Sequence, residues 1–260
     1  MRQFAEQEML TRSDRDRYMH AARRWRFLDT GPATAAENMA MDEALLRDAG
    51  SSHALPVLRF YEWSPPAVSL GRFQDAERAV DAEACTRRGI DIVRRITGGR
   101  AVLHKDELTY SIAAPVSNGL FPNDVLGTYK VIAAGLVAGL RCLGIPADMA
   151  VRHEQQPGMV KSKQHEPACF ASPSWYEIVV RGRKIVGSAQ RRVNGAFLQH
   201  GSILIGYDPD IEADVIHGKG SKDAVTSINA ELGREVKLEE VKSAIRDGFA
   251  GSFDIFFSNR

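Results

Sequence analysis

Arg94-Arg95-Ile96-Thr97-Gly98-Gly99-Arg100-Ala101-Val102-Leu103-His104 sets two adjacent glycines between a strand-like run and a second apolar run, with three arginines and a histidine around them. Glycine has no Cβ, so Gly98 and Gly99 can take positive φ, let the backbone approach a partner closely and turn successive N–H groups toward an anion or a carbonyl. Arg94, Arg95 and Arg100 supply charge beside them. Taken alone, a Gly-Gly pair is more often a plain turn or bulge. The spacing is not that of a phosphate loop: Gly-x-x-x-x-Gly-Lys-Ser/Thr is absent, and no Gly-x-Gly-x-x-Gly follows a strand here.

Outward from this stretch, Ile90 to Ile96 reads as the strand leading into the glycines and Leu108 to Ala114 as one that follows. Upstream, Trp25 to Asp29 is a short strand. Thr34, with Glu37 three residues on, forms a capping box for a helix running to Gly50, which fits the C′ position. Val57 to Trp63 and Ala67 to Leu70 are strands separated by Ser64-Pro65-Pro66, and Arg72 stands just past a strand end. Asp81 to Arg88 suits a helix. Asn123 or Asp124 caps the longest helix, whose Leu126, Tyr129, Ala133, Leu136, Val137 and Leu140 form an apolar face that should pack on the sheet before Gly144 and Pro146 stop it. Residues 152–168 are polar and aperiodic, a loop ending at Cys169. Glu177 to Val180, Lys184 to Arg192 and Ala196 to Ile205 make a three-strand meander, with turns at Arg181-Gly182 and Asn194-Gly195. Leu238, Val241, Ile245 and Phe249 share a face of a last helix before a strand at Asp254 to Phe257.

Residues 1–24 are charged and without apolar period, a solvated extension in which Met19 is an alternative start to Met1. Residues 25–260 read as a single domain, with no internal repeat or composition break. The 34 lysines and arginines against 33 acids leave a net charge of +1, so no global field argues for nucleic acid or an anionic membrane. Cys85, Cys142 and Cys169 are an odd, widely spaced set without a CxxC pair, which argues against a disulfide framework or a cysteine zinc site and for a reducing cytoplasm. No apolar run is expected to reach the roughly 18 residues of a membrane helix, and the N-terminus lacks a secretion signal. Monomer is the default state.

Arg95-x-Thr-Gly-Gly-Arg-Ala-Val-Leu-His, Lys184-x-x-Gly-Ser-Ala-Gln and Gln199-His-Gly-Ser-x-Leu, in this order, resemble the biotinyl/lipoyl protein ligase superfamily, and within it the LipM-type octanoyltransferases. The likeness runs from about Trp25 to Phe257 through Glu37-Asn38-Met39-Ala40-Met41-Asp42, Ser69-Leu70-Gly71-Arg72 and Glu107-Leu108-Thr109-Tyr110-Ser111. It implies an α+β catalytic domain of the biotin/lipoate protein ligase kind, with a mixed β-sheet flanked by helices. Lipoate-protein ligases, which activate a free fatty acid with ATP, typically carry a third glycine where this chain has Arg100. That departure weakens the ligase reading, because an arginine crowds a loop meant to meet a nucleotide by backbone alone, although it can also pair with phosphate. The absence after Arg260 of the accessory domain many ligases carry points the same way.

The resemblance implies Cys169 as the nucleophile. A free thiol, with a pKa of about 8.5, is mostly protonated at neutral pH. Lys184 matches the family lysine that stabilises the thiolate and polarises the acyl carbonyl. Octanoyl would pass from the phosphopantetheine arm of an acyl-carrier protein to Cys169 and then to a lysine of a lipoyl domain or of glycine-cleavage H protein, by ping-pong and without ATP or another cofactor. Arg72, Arg95, Thr97, Gly98, Gly99, His104, Gly187, Ser188 and His200 would bind substrate. For His104 and His200 a hydrogen-bonded structural role is an equal alternative, and Arg72 reads either as a contact for the carrier arm or as a solvated side chain. His153 and His165, with Glu154 and Glu166 loosely spaced, do not make a metal site. Cys85 and Cys142 read as core residues. The competing functions are an ATP-dependent lipoate ligase and a non-catalytic scaffold for acyl carriers.

Overall fold

The computed structural model describes residues 23–51, 54–150, 177–218 and 222–258. Cys169, His153, His165, the loop 152–168 and most of the N-terminal extension lie outside the described residues. The strands are β1 (Arg24–Ala33), β2 (Val57–Trp63), β3 (Ala67–Leu70), β4 (Asp91–Arg94), β5 (Val102–His104), β6 (Glu107–Pro115), β7 (Asp148–Met149), β8 (Ile178–Val180), β9 (Arg183–Val193), β10 (Ala196–Leu204) and β11 (Phe256–Ser258). The helices are α1 (Ala35–Asp48), α2 (Ala76–Ala79), α3 (Ala82–Arg87), α4 (Val125–Cys142), α5 (Pro209–Val215), α6 (Ile228–Leu232) and α7 (Leu238–Phe253).

Eight strands form one sheet in the order β11-β1-β2-β6-β10-β9-β8-β7, and β4-β3-β5 form a second. The large sheet is mixed: β1 runs parallel to β2 and β11, and the remaining neighbours are antiparallel. The architecture is therefore α+β, as the sequence implied. The meander closes through two tight turns for one physical reason. Arg181 and Gly182 have φ of 49° and 78°, and Asn194 and Gly195 have 51° and 76°, the paired positive values of hairpins that match strand twist. Thr34 makes the expected capping box, its hydroxyl accepting from the Glu37 N–H while Glu37 accepts from the Thr34 N–H. β2 and β3 are found at their expected bounds, but they part at the Pro65-Pro66 turn to join different sheets. Only the strand pairing reveals that split, and with it the short β5.

The main core lies between one face of the large sheet and the pair α4 and α7, with Tyr110, Ile112, Phe197, Leu136, Leu140, Ile245 and Phe249 buried together. Asp124 caps α4, accepting from Gly127 N–H at 2.6 Å. Two expectations need correction here. Leu126 is exposed, as is its neighbour Val125 in the first turn of α4. α4 is also long and apolar enough to cross a membrane, contrary to the expectation that no run would be; its apolar side is spent on α7, which makes it a core helix. Cys85 is buried as expected, and burial pushes its thiol upward, but Cys142 is exposed, on the side of the last turn of α4 that faces away from the core.

The two helices cross on glycines. A Cβ on Gly248 would stand 2.3 Å from the Gly139 nitrogen and 2.7 Å from the Gly135 oxygen, whereas one on Gly251, a turn later, would meet nothing within 4 Å. Gly248→Ala is expected to lower stability by about 1–3 kcal/mol through overpacking despite alanine's helix preference. Gly251→Ala should raise it by up to about 1 kcal/mol. Urea unfolding midpoints of both variants check the contrast.

Candidate active site

A cleft opens between the face of the large sheet opposite the main core and the small sheet. The large sheet supplies Tyr61, Trp63, Thr109 and His200, α1 adds Met39, and the small sheet with its glycine stretch adds Ser69, Arg95, Gly99 and His104. Gly187 and Ser188 line its edge on β9.

The glycine stretch is held from inside. Arg95 is buried, and its Nη1 donates to the Ser69 carbonyl at 2.7 Å while Nη2 donates to the carbonyls of Gly98 at 2.8 Å and Arg100 at 2.7 Å. Arg94 Nη1 likewise reaches the carbonyls of Gly71, Arg72 and Gln74 at 2.8, 3.2 and 2.8 Å. Two of the three arginines expected to supply charge to a ligand thus hold backbone. The close approach expected at Gly98 and Gly99 is also real, but the nearest partner is protein: a Cβ on Gly71 would fall 1.9 Å from the Gly99 oxygen, and Gly99 has φ of 94°.

Behind the cleft lies a buried ionic group that the sequence reading did not single out. Asp42 is fully buried and accepts four hydrogen bonds: from Arg59 Nη1 and Ser111 Oγ at 2.9 Å on Oδ1, and from Tyr61 OH at 3.0 Å and His200 Nδ1 at 2.8 Å on Oδ2. Arg59 also donates to Asn38 Oδ1 at 2.7 Å and to Thr30 Oγ1 at 3.0 Å. Because the carboxylate can only accept, it fixes a proton on Nδ1 of His200 and turns Nε2 toward the Thr97 hydroxyl, 2.7 Å away. Burial pushes the Asp42 carboxyl up, but His200, Arg59 and Ser111 more than offset it and hold the group below the usual carboxylate range. A legible signal was present: Asn38 and Asp42 are polar residues on the buried stripe of α1, and Arg59 interrupts an apolar strand.

His104 stacks on Trp63, ring centroids 4.0 Å apart, and pairs its Nε2 with Ser69 Oγ at 2.8 Å. Burial lowers its pKa, while Glu107, 3.4 Å from Nδ1, pulls the other way. Glu107 is itself bound by Thr109 Oγ1 at 2.5 Å and Ser202 Oγ at 2.6 Å. Ser188 bonds Tyr110 OH at 2.7 Å. Tyr110 belongs to the main core, so this hydroxyl is engaged on the far face of the sheet from His200. Lys184 is buried and does not line the cleft; its Nζ contacts Glu177 Oε1 at 2.5 Å. Arg72 is exposed at the cleft's lip, its N–H on the Thr97 carbonyl at 2.8 Å. The structure therefore gathers Arg95, Gly99, His104, Gly187, Ser188 and His200 around one cleft and holds Thr97 on His200, while Arg72, Gly98 and Lys184 stand outside its lining. Among the described residues no group of three His, Cys, Asp or Glu is arranged to hold a metal.

Asp42→Asn strands the Arg59 charge in the interior and is expected to cost about 3–5 kcal/mol. The sign with pH follows from the depressed carboxyl: its stabilisation is present above the unfolded value near 3.8 and is lost as pH falls through the lower folded value. Denaturation monitored from pH 7 to pH 2 should show this acid limb weakened in Asp42→Asn.

Residues 34–250 match the lipoyl protein ligase A/B catalytic domain. The octanoyltransferase LipM of Kyrpidia tusciae is 43% identical over 236 residues, covering 87% of this chain and 86% of the relative. The octanoyltransferase LipM of Geobacillus kaustophilus is 41% identical over 241 residues, covering 89% and 87%. Among solved structures, a lipoate-protein ligase A bound with ATP superposes with a TM-score of 0.72 at 28% identity, covering 91% of this chain and 87% of the other. With a cleft between two sheets, walled by the glycine stretch and spanned by the matched region, this chain belongs to the lipoyl protein ligase A/B catalytic domain family.

Proposed function

We propose that the protein is an octanoyltransferase of lipoate biosynthesis, taking octanoyl from a carrier-protein thioester and delivering it to the ε-amine of a lysine on a lipoyl domain or glycine-cleavage H protein. What carries the reading is the kinship over nearly the whole chain with relatives named octanoyltransferase, together with a cleft whose walls include Met39, Tyr61, Trp63 and Val102, apolar enough for an alkyl chain.

In this reading the Cys169 thiolate adds to the acyl carbonyl, the C=O electron pair moves onto oxygen and returns as the bond to the carrier sulfur breaks, and the carrier leaves as its thiol once protonated. The lysine amine, in its neutral form, then attacks the Cys169 thioester; the C–S bond breaks, the amine loses a proton, and Cys169 is restored. The first exchange is near equal in energy and the second, thioester to amide, runs downhill, so ATP is not needed. Lys184 assists by holding positive charge near the sulfur, and its contact with Glu177 fixes where that charge sits.

The likeness to an ATP-bound ligase structure keeps one competing reading in view: activation of a free acid with ATP. Arg100 argues against it. Its carbonyl is tied to Arg95, and its side chain stands where ligases typically have a glycine whose missing side chain leaves room for nucleotide.

Octanoyl-carrier protein mixed with the enzyme, without acceptor or ATP, should leave a hydroxylamine-labile octanoyl adduct that mass spectrometry maps to Cys169. Wild-type transfer rates in Cys169→Ser would overturn the covalent mechanism, and a strict requirement for ATP with free octanoate would move the assignment to the ligase branch.

Iodoacetamide alkylation of Cys169 against pH reports the thiol directly. Lys184→Ala should raise its apparent pKa toward the free value of about 8.5, slowing transfer near pH 7 by about 10-fold per unit, whereas Lys184→Arg should recover only part of the effect because its charge is spread over a planar fork. An unshifted alkylation profile in Lys184→Ala would confine the lysine to the acyl carbonyl.

A further inference from the structure

The loop Gly71-Arg72-Phe73-Gln74 combines a locked backbone with an exposed tip. Gly71 N–H donates to Gln74 Oε1 at 2.9 Å, Gln74 N–H returns to the Gly71 carbonyl at 3.0 Å, and Arg72 N–H is held by Thr97. The single Arg94 Nη1 draws in the carbonyls of Gly71, Arg72 and Gln74, and Gly71 is pressed against Gly99. Yet Phe73 is 86% exposed, while among the described residues the next most exposed large hydrophobic, Val125, is at 46%. The Arg72 guanidinium lies 5.3 Å from the Phe73 ring centroid. A mobile loop tip with an exposed phenylalanine would signify little. One whose backbone is tied by this many hydrogen bonds is already in a bound conformation, so little ordering entropy is lost when a partner covers it. An aromatic beside an arginine is also the composition of an interface anchor.

We propose that Phe73, with Arg72 over its ring, is the docking anchor for the donor carrier protein, the one whose prosthetic arm carries a phosphodiester on the way to its acyl thioester. This rests on the octanoyl-transfer reading above. The anchor stands at the lip of the acyl cleft, because Gly71 packs on Gly99, which lines the cleft. Charge decides between the two macromolecules that must visit that lip. The donor brings a phosphodiester anion at the protein end of its prosthetic arm, which stays at the entrance while the thioester reaches inward and which Arg72 attracts; the acceptor brings a lysine ammonium, which a guanidinium at the entrance repels. Phe73 supplies the apolar contact that a point charge alone lacks.

The test separates docking from chemistry. KM and kcat are measured with octanoyl-carrier protein, with octanoyl-N-acetylcysteamine as a donor lacking both protein and phosphodiester, and with the acceptor domain varied. Phe73→Ala should raise the KM for octanoyl-carrier protein by at least about 10-fold with kcat little changed, leave the truncated thioester and the acceptor within about 2-fold, and be repaired by Phe73→Tyr. Arg72→Gln should raise the carrier KM and flatten its salt dependence. Binding of the unacylated holo-carrier protein, read by calorimetry, should weaken in Phe73→Ala whether or not the wild type transfers octanoyl. A wild type that binds the carrier but transfers nothing would therefore overturn the transfer reading and leave the anchor standing. An unchanged carrier KM and affinity in Phe73→Ala, an equal loss with the truncated donor, or a shift confined to the acceptor would each overturn the anchor.

Discussion

The carboxylate of Asp42, sealed under the cleft, is the constraint from which the site takes its shape. A charge in a low-dielectric interior is tolerated only when paired and fully hydrogen-bonded, and Asp42 meets both conditions with Arg59 as its counterion and four donors on its two oxygens. Those donors come from α1's neighbours β2, β6 and β10, so one group registers a helix against three strands. Through His200 it reaches Thr97, and so fixes the start of the glycine stretch. A buried ion pair is weak evidence of net stability; here its geometric consequence is the sounder reading.

The glycine stretch shows how a motif can be legible as a place before its internal bonding is. Its glycines do permit close approach, Arg94 and Arg95 use the carbonyls of this stretch and of the Gly71–Gln74 loop to weld the two together, and Gly71 packs directly on Gly99. Rigid walls follow from this, and an alkyl chain in a preformed cleft loses less on binding than one that must organise its own pocket. The same weld holds Phe73 out in solvent.

Ser188 makes a related point about sheets. It lines the cleft with its neighbours Gly187 and Ala189 and its cross-strand partner Gly201, yet its hydroxyl bonds Tyr110 over Gly201, where a Cβ would stand 2.6 Å from Ser188 Oγ. Alternation of side chains along a strand, rather than position in a motif, decides which groups meet substrate.

By itself the sequence determined the elements and the kinship. Apolar period and turn chemistry are local properties, so the capping box at Thr34, the hairpins at Arg181-Gly182 and Asn194-Gly195, and the face of α7 were legible from neighbours a few residues apart. Candidate residues around one cleft were legible too, because they sit in short motifs. What each does was not. That Arg95 holds carbonyls, that Asp42 is paired across 17 residues with Arg59 and across 158 with His200, and that β2 and β3 part into different sheets depend on contacts between segments distant along the chain. Hydrogen bonds of that kind leave no periodic trace in sequence; tertiary packing alone chooses which donors surround a buried carboxylate, because only there does leaving it unpaired carry its full cost.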